Sequence, residues 1–155
     1  MLVSIIKEKY GRICVGERGL MSKLKAKKWT LLYTEISKLG EGGNADVYLV
    51  EDSRSGKRYA LKELRSSNRS EEKKSRFVSE IQIARDNCTI IPGIIPVIDY
   101  SMEDYWYTMP IAQQIMGCVN GMSLDEIING VLQLCETLGR LHEKGIHHRD
   151  IKPSN

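Results

Sequence analysis

From Trp29 onward the chain alternates short apolar runs with turn-forming residues. Residues 31–40, 45–51 (ADVYLVE) and 57–64 (KRYALKEL) carry strand-type patterns, and Asp52-Ser53-Arg54-Ser55-Gly56 between the last two is a hairpin loop. Three antiparallel strands are expected. Ser70 followed by Glu71 and Glu72 offers an N-cap with two acids at the positive end of a helix dipole, so a helix is expected from there to about Asp86. Two further runs, 94–100 and 105–111, flank the turn Ser101-Met102-Glu103-Asp104 and read as strands four and five.

The last long element begins at Ser123, where Ser123-Leu124-Asp125-Glu126 fits a capping box, and ends before Gly145, a natural C′ residue. At about 100° per residue, Leu124, Ile127, Ile128, Val131, Leu132, Leu134, Cys135, Leu138 and Leu141 fall within an arc of about 180°. Glu126, Asn129, Gln133, Glu136, Arg140 and Lys144 lie opposite. A surface helix needs an apolar stripe only about 100° wide, so this one is expected to pack on two sides. Several of Ile127, Ile128, Val131, Leu134, Leu138 and Leu141 are expected to stay exposed in the chain by itself, with self-association through helix 123–144 as the outcome.

Composition narrows the class. With 155 residues, 41% hydrophobic and 28% charged, the chain can bury a core without disulfides or a structural metal. Its four cysteines, Cys14, Cys88, Cys118 and Cys135, form no CxxC pair, which removes zinc and thioredoxin-like readings. They read as reduced, small buried hydrophobes in a cytoplasmic protein. The longest uncharged stretch, 105–124, contains Pro110, Gln113, Gln114 and Asn120 and is too polar for a membrane span. Residues 1–40 hold nine basic and three acidic side chains, and the rest of the chain is net negative. Lys23, Lys25, Lys27 and Lys28 have no interleaved aromatics and read as a solvated segment, so no nucleic-acid partner is expected. Residues 1–28 lack periodicity and are treated as an extension dispensable for folding.

Three constellations carry chemistry. In Leu39-Gly40-Glu41-Gly42-Gly43-Asn44-Ala45-Asp46-Val47, glycines between two strands let backbone N–H groups approach phosphate oxygens. A Rossmann fingerprint would open a helix there, whereas ADVYLVE continues as a strand, and there is no GxxxxGK[ST]. In the third strand, alternation puts Ala60, Lys62 and Leu64 on one face, an unusual place for a lysine. Its partner should be an acid on the following helix. With Phe77 at zero, Ile81 lies at about +40°, Ala84 at about −20° and Glu80 at about −60°, so Glu80 flanks the apolar stripe and can hold Lys62 as an ion pair. The third is His148-Arg149-Asp150-Ile151-Lys152-Pro153-Ser154-Asn155, in which an acid, a cation two residues on and an amide five residues on suit a proton acceptor, a γ-phosphate clamp and a metal ligand.

Taken in order, these motifs resemble a eukaryotic-type serine/threonine protein kinase of the kind also found in bacteria, over about residues 31–155. Gly40, Gly42 and Val47 match the family's GxGxxGxV, with Ala45 in place of the third glycine. The resemblance implies an α+β fold: a five-stranded antiparallel small lobe with one helix over residues 29–109, then hinge and the start of a mainly helical large lobe over 110–155. It implies ATP and Mg2+ as cofactors and proteins bearing Ser/Thr as substrates. Lys62 would hold the α/β-phosphates, Glu80 orient Lys62, Asp150 act as base, Lys152 mark the serine/threonine class and Asn155 bind Mg2+. Met109 would be the gatekeeper, the Pro110 carbonyl and Ala112 backbone would face adenine, and Leu39, Val47 and Ala60 would pack its ring. Arg149 resembles the arginine of kinases switched by phosphorylation of the activation loop. The 155 residues end before any DFG segment, whose aspartate is the other main magnesium ligand, and are expected to be catalytically incomplete by themselves. Two rival readings are a non-catalytic nucleotide-binding or regulatory module and a small-molecule phosphotransferase.

Overall fold

The structure, a computed structural model, describes residues 29–112, 119 and 121–151. The expected extension 1–28 lies outside the described residues. Those described fall into two compact units, 29–82 with 97–111 and 83–96 with 112–151.

The first unit is built on a five-stranded antiparallel sheet in the order β1-β2-β3-β5-β4, with β1 (Tyr33–Glu41), β2 (Ala45–Asp52), β3 (Arg58–Leu64), β4 (Asp99–Ser101) and β5 (Trp106–Met109). The 52–56 loop closes the β2–β3 hairpin as the pattern requires: the Asp52 carboxylate accepts from the Arg54 N–H at 2.8 Å and the Ser55 hydroxyl at 3.0 Å. One face of the sheet carries an aromatic core of Trp29, Tyr33, Val50, Leu61 and Trp106. Trp29 reaches it from a short 3-10 helix (Trp29–Leu31) and donates from Nε1 to Glu63 at 2.8 Å. Tyr33 donates its hydroxyl to Asp99 at 3.0 Å, and burial, reinforced by the Asp99 charge, pushes its pKa up. The opposite face meets α1 (Glu71–Asn87), whose Phe77 packs on Tyr107 with ring centroids 5.6 Å apart.

Strand four departs from expectation. Only Asp99–Ser101 joins the sheet, while Ile94, Ile95 and Val97 are buried without strand structure. Pro92 and Pro96 remove two N–H donors a ladder would need, so the apolar run supplies mainly core contacts, with the Ile98 N–H bonded to Thr108 O at 2.8 Å. Pro110 likewise ends β5 at Met109.

In the second unit α2 (Leu124–Glu143) is framed by the expected caps. The Ser123 side chain accepts from the Glu126 N–H while the Glu126 carboxylate accepts from the Ser123 N–H, a full capping box. At the other end Gly145 takes φ +71°, and the Gly145 and Ile146 N–H groups bond His142 O at 2.8 Å and Leu141 O at 2.9 Å, a Schellman closure. The packing face is narrower than the arc foresaw. Buried positions are Gly130, Thr137 and Leu141, whereas Leu124, Ile128, Val131 and Leu132 are exposed, so α2 is packed on one side only among the described residues. Exposure of Ile128 and Val131 is as expected for the chain by itself, while Thr137 meets the segment at Pro92-Gly93. Thr137 Oγ1 sits 2.8 Å from Pro92 O and 2.9 Å from Gln133 O. The cysteine reading also needs correction: Cys88 is half-buried and Cys135 exposed, both as free thiols. No helix among the described residues is long and apolar enough to cross a membrane.

Candidate functional site for nucleotide and phosphoryl transfer

Strand register assembles the first part of the site. Gly40 pairs with Val47, Val47 with Lys62 and Lys62 with Tyr107, so these residues form one row across β1, β2, β3 and β5. In the next row Ala60 lies between Leu49 and Met109. Two register shifts in β1, at Glu35/Ser37 and Lys38/Gly40, set the alignment of the glycine segment. Gly42 closes the turn by donating its N–H to Ala45 O at 2.9 Å, and no atom of the protein stands within 4 Å of where a Cβ on Gly40 or Gly43 would lie. Leu39 is half-exposed beside them, whereas Ala60 and Met109 are buried. Ala45, in the third glycine's place, is buried opposite Leu64.

Beneath this hairpin Lys62 Nζ donates to Glu80 Oε1 at 2.6 Å. The helix angles had singled out this acid for that lysine, and the pair is present. The same oxygen accepts the Tyr107 hydroxyl at 2.8 Å, and the Lys62 ammonium lies 5.9 Å and 5.8 Å from the ring centres of Phe77 and Tyr107. Burial alone would raise the Glu80 carboxyl. The Lys62 charge and the hydrogen bonds from Lys62 and Tyr107 overrule it and hold the pKa down at about 2. Burial, with the Glu80 charge behind it, drives the Tyr107 phenol well upward, so Tyr107 is a neutral donor at any physiological pH. Its part in the cluster went unread, although alternation from Met109 places it on the lysine's face.

The catalytic-loop residues belong to the second unit. Following Gly145, the chain runs without regular structure through His148 and Asp150. Arg149 takes φ +61°, an uncommon conformation for a residue with a side chain, and the Asp150 N–H donates to His148 Nδ1 at 3.3 Å. Asp150 is exposed. His147, for which the sequence offered no account, stacks on His142 with ring centroids 4.9 Å apart. Pro110 follows β5 and Ala112 lies in the second unit. Lys152 and Asn155 lie outside the described residues. Among the described residues no group of three or more His, Cys, Asp or Glu is gathered to hold a metal ion. The lysine fixed under an open glycine hairpin fits a polyphosphate.

A strand-turn-strand glycine loop, a half-buried Lys–Glu pair across β3 and α1, and a downstream HRDIKPSN segment together define a protein kinase. The chain belongs to that family: the protein kinase domain pattern matches residues 33–155. It is similar to the serine/threonine-protein kinase PknD of Chlamydia muridarum, 32% identical over 151 residues, and to that of Chlamydia caviae, 30% identical over 149. Each alignment covers 79% of this chain and 15% of the relative, so the chain spans about 15% of the length of the curated relatives it matches. By family it is a protein kinase.

Proposed function

We propose that these residues form the nucleotide-binding lobe and catalytic loop of an enzyme that transfers the γ-phosphoryl group of ATP to Ser or Thr hydroxyls of proteins. The Lys62–Glu80–Tyr107 cluster carries the reading, because an ammonium held by a half-buried carboxylate beneath a glycine hairpin is suited to the α/β-phosphates. In this reading Gly40 and Gly42 present backbone N–H groups to the phosphates. Leu39, Val47 and Ala60 sandwich adenine, Met109 limits the depth of its pocket, and the Pro110 carbonyl and Ala112 backbone meet its edge. Asp150 accepts the proton as the substrate hydroxyl oxygen bonds to the γ-phosphorus and the bond to the ADP oxygen breaks. Lys152 offsets the charge gathered on the transferred group. Mg2+, with Asn155 as a ligand, would supply charge neutralisation along the phosphates. The DFG aspartate of the resemblance is not among the 155 residues, and we infer that they bind nucleotide without turning it over by themselves.

The test is phosphorylation of a basic protein substrate by the enzyme extended through a DFG segment, with radiolabelled ATP. Phosphoserine and phosphothreonine are expected, and Lys62→Met should lower kcat/KM by about a hundredfold or more. Phosphotyrosine alone, phosphorylation of a small molecule instead, or full activity in Lys62→Met would each overturn the assignment.

A further inference from the structure

A second ionic cluster lies at the glycine hairpin, on the other face of the sheet from Lys62. Arg65 follows β3 directly, and alternation through Glu63 places it opposite the row that faces α1. Its Nη2 lies 2.6 Å from Glu41 Oε1 and 2.8 Å from Asp46 Oδ1, and its Nε donates to the same Asp46 oxygen at 3.0 Å. Its backbone N–H donates to Asn44 O at 3.1 Å. Lys38 Nζ lies 3.1 Å from both Glu41 Oε2 and Asp46 Oδ1. Residues on both sides of the glycine turn, Glu41 before it and Asp46 after it, are thereby tied to the end of β3. The cluster is partly sheltered, with the Asp46 and Arg65 side chains 15% and 24% exposed.

Charge explains why these cations are needed. In the β2–β3 register Asp46 stands directly opposite Glu63, an unfavourable acid-to-acid pairing, and Asp46 sits one residue before Val47 in the phosphate-facing row. Glu63 is held by Trp29 and by Arg69 at 3.6 Å, but Glu41 and Asp46 left uncompensated at this turn would repel a nucleotide's phosphates. Arg65 and Lys38 neutralise them and, in doing so, hold the turn in one place.

We propose that Arg65 is a positioning residue for the glycine-rich loop: it clasps Glu41, Asn44 and Asp46 so that the loop is pre-set over the phosphate position before nucleotide arrives. The effect on nucleotide rests on the kinase reading above, whereas the clasp itself does not. Pre-setting a loop removes its ordering cost from the binding step, so the clasp acts on affinity for ATP more than on turnover. A planar guanidinium spans two carboxylates at once, which a lysine ammonium does less well, so Arg65→Lys should rescue only part of the effect.

The experiment is amide hydrogen exchange on the nucleotide-free 155-residue chain, followed by titration with a fluorescent ATP analogue. In Arg65→Ala, and in the isosteric Asp46→Asn, amides of residues 40–46 should exchange about three- to tenfold faster while those of β4 and β5 keep their protection. The analogue should bind about three- to tenfold more weakly, with Arg65→Lys intermediate. Arg58→Ala, which removes an exposed pair with Glu51 at the turn end of the β2–β3 hairpin, should change neither readout. Unchanged exchange at 40–46 in both Arg65→Ala and Asp46→Asn would overturn the clasp, whatever the nucleotide does. Faster exchange at 40–46 in the two variants, with no binding of the analogue even by the wild-type chain, would support the clasp and count against the kinase reading instead.

Discussion

Glu80 shows how much depends on a single carboxylate. Its pKa, about 2 in the folded chain against an ordinary 4.5, is lowered, so the pair contributes stability that is fully present above about pH 4.5 and lost as pH falls through 4.5 toward 2. The shift corresponds to roughly 3 kcal/mol. Acid titration of unfolding free energy should therefore show a steep loss in that window, and Glu80→Gln should flatten it. Tyr107→Phe removes only the hydroxyl that shares Glu80 Oε1 with Lys62. A cost of about 1–2 kcal/mol at neutral pH is expected, shrinking as Glu80 becomes protonated, and equal costs at pH 7 and pH 2 would refute the role given to the hydroxyl. Lys62 was legible as a charge on an apolar strand face and Glu80 as the acid flanking an apolar helix stripe, both of which periodicity exposes. Arg65, Asp46 and Tyr107 were not, since a charge among charges and an aromatic among aromatics break no pattern; only the register between strands discloses their partners.

Among the elements, the three strands of 33–64, α1 and both ends of α2 follow from alternation and capping residues, with boundaries within two or three positions. In α2 the expected exposure of Ile128 and Val131 is seen, whereas Leu141, grouped with them in that expectation, is buried; what the pattern did not show is the contact of Thr137 with the Pro92-Gly93 segment, because a polarity scale ignores small polar side chains. Gly93 is the other half of that contact. It takes φ +89°, and a Cβ there would lie 2.7 Å from Thr137 Oγ1, so both backbone conformation and space call for glycine. Gly93→Ala should cost about 2–4 kcal/mol by chemical denaturation. In a Thr137→Ala background the collision is gone and only the backbone penalty remains, so the same change should cost about 1–2 kcal/mol there. Equal costs in the two backgrounds would show that the two residues do not press on each other. Ser123→Ala, which breaks the capping box, should cost about 1 kcal/mol.

For the molecule as a whole, the residues assigned to nucleotide and catalysis come from short motifs, but its behaviour in solution depends on what α2 leaves uncovered. Leu124, Ile128, Val131 and Leu132 are 71%, 47%, 53% and 60% exposed, and the residues at 128, 131 and 132 lie within one helical turn of each other. Returning four such half-wet side chains to an apolar contact is worth on the order of 3–6 kcal/mol at about 25 cal/mol per Å2. Pairing of two copies through α2 doubles that gain to about 6–12 kcal/mol and sets it against the entropy lost on association, about 4–15 kcal/mol, so about micromolar affinity is the tight limit of such pairing. The polar face argues for the same geometry. Glu136 and Arg140 satisfy each other along the helix at 2.6 Å, so they form an intrahelical pair at the rim and leave the apolar strip as the surface free to pair. We therefore expect the 155-residue chain, by itself at tens of micromolar, to scatter light as a dimer or larger and to enhance a hydrophobic dye's fluorescence. Val131→Lys with Leu132→Glu should restore a dye-silent monomer without lowering the melting temperature, because neither side chain is in the core. A monodisperse, dye-silent wild-type monomer would rule out association through this face.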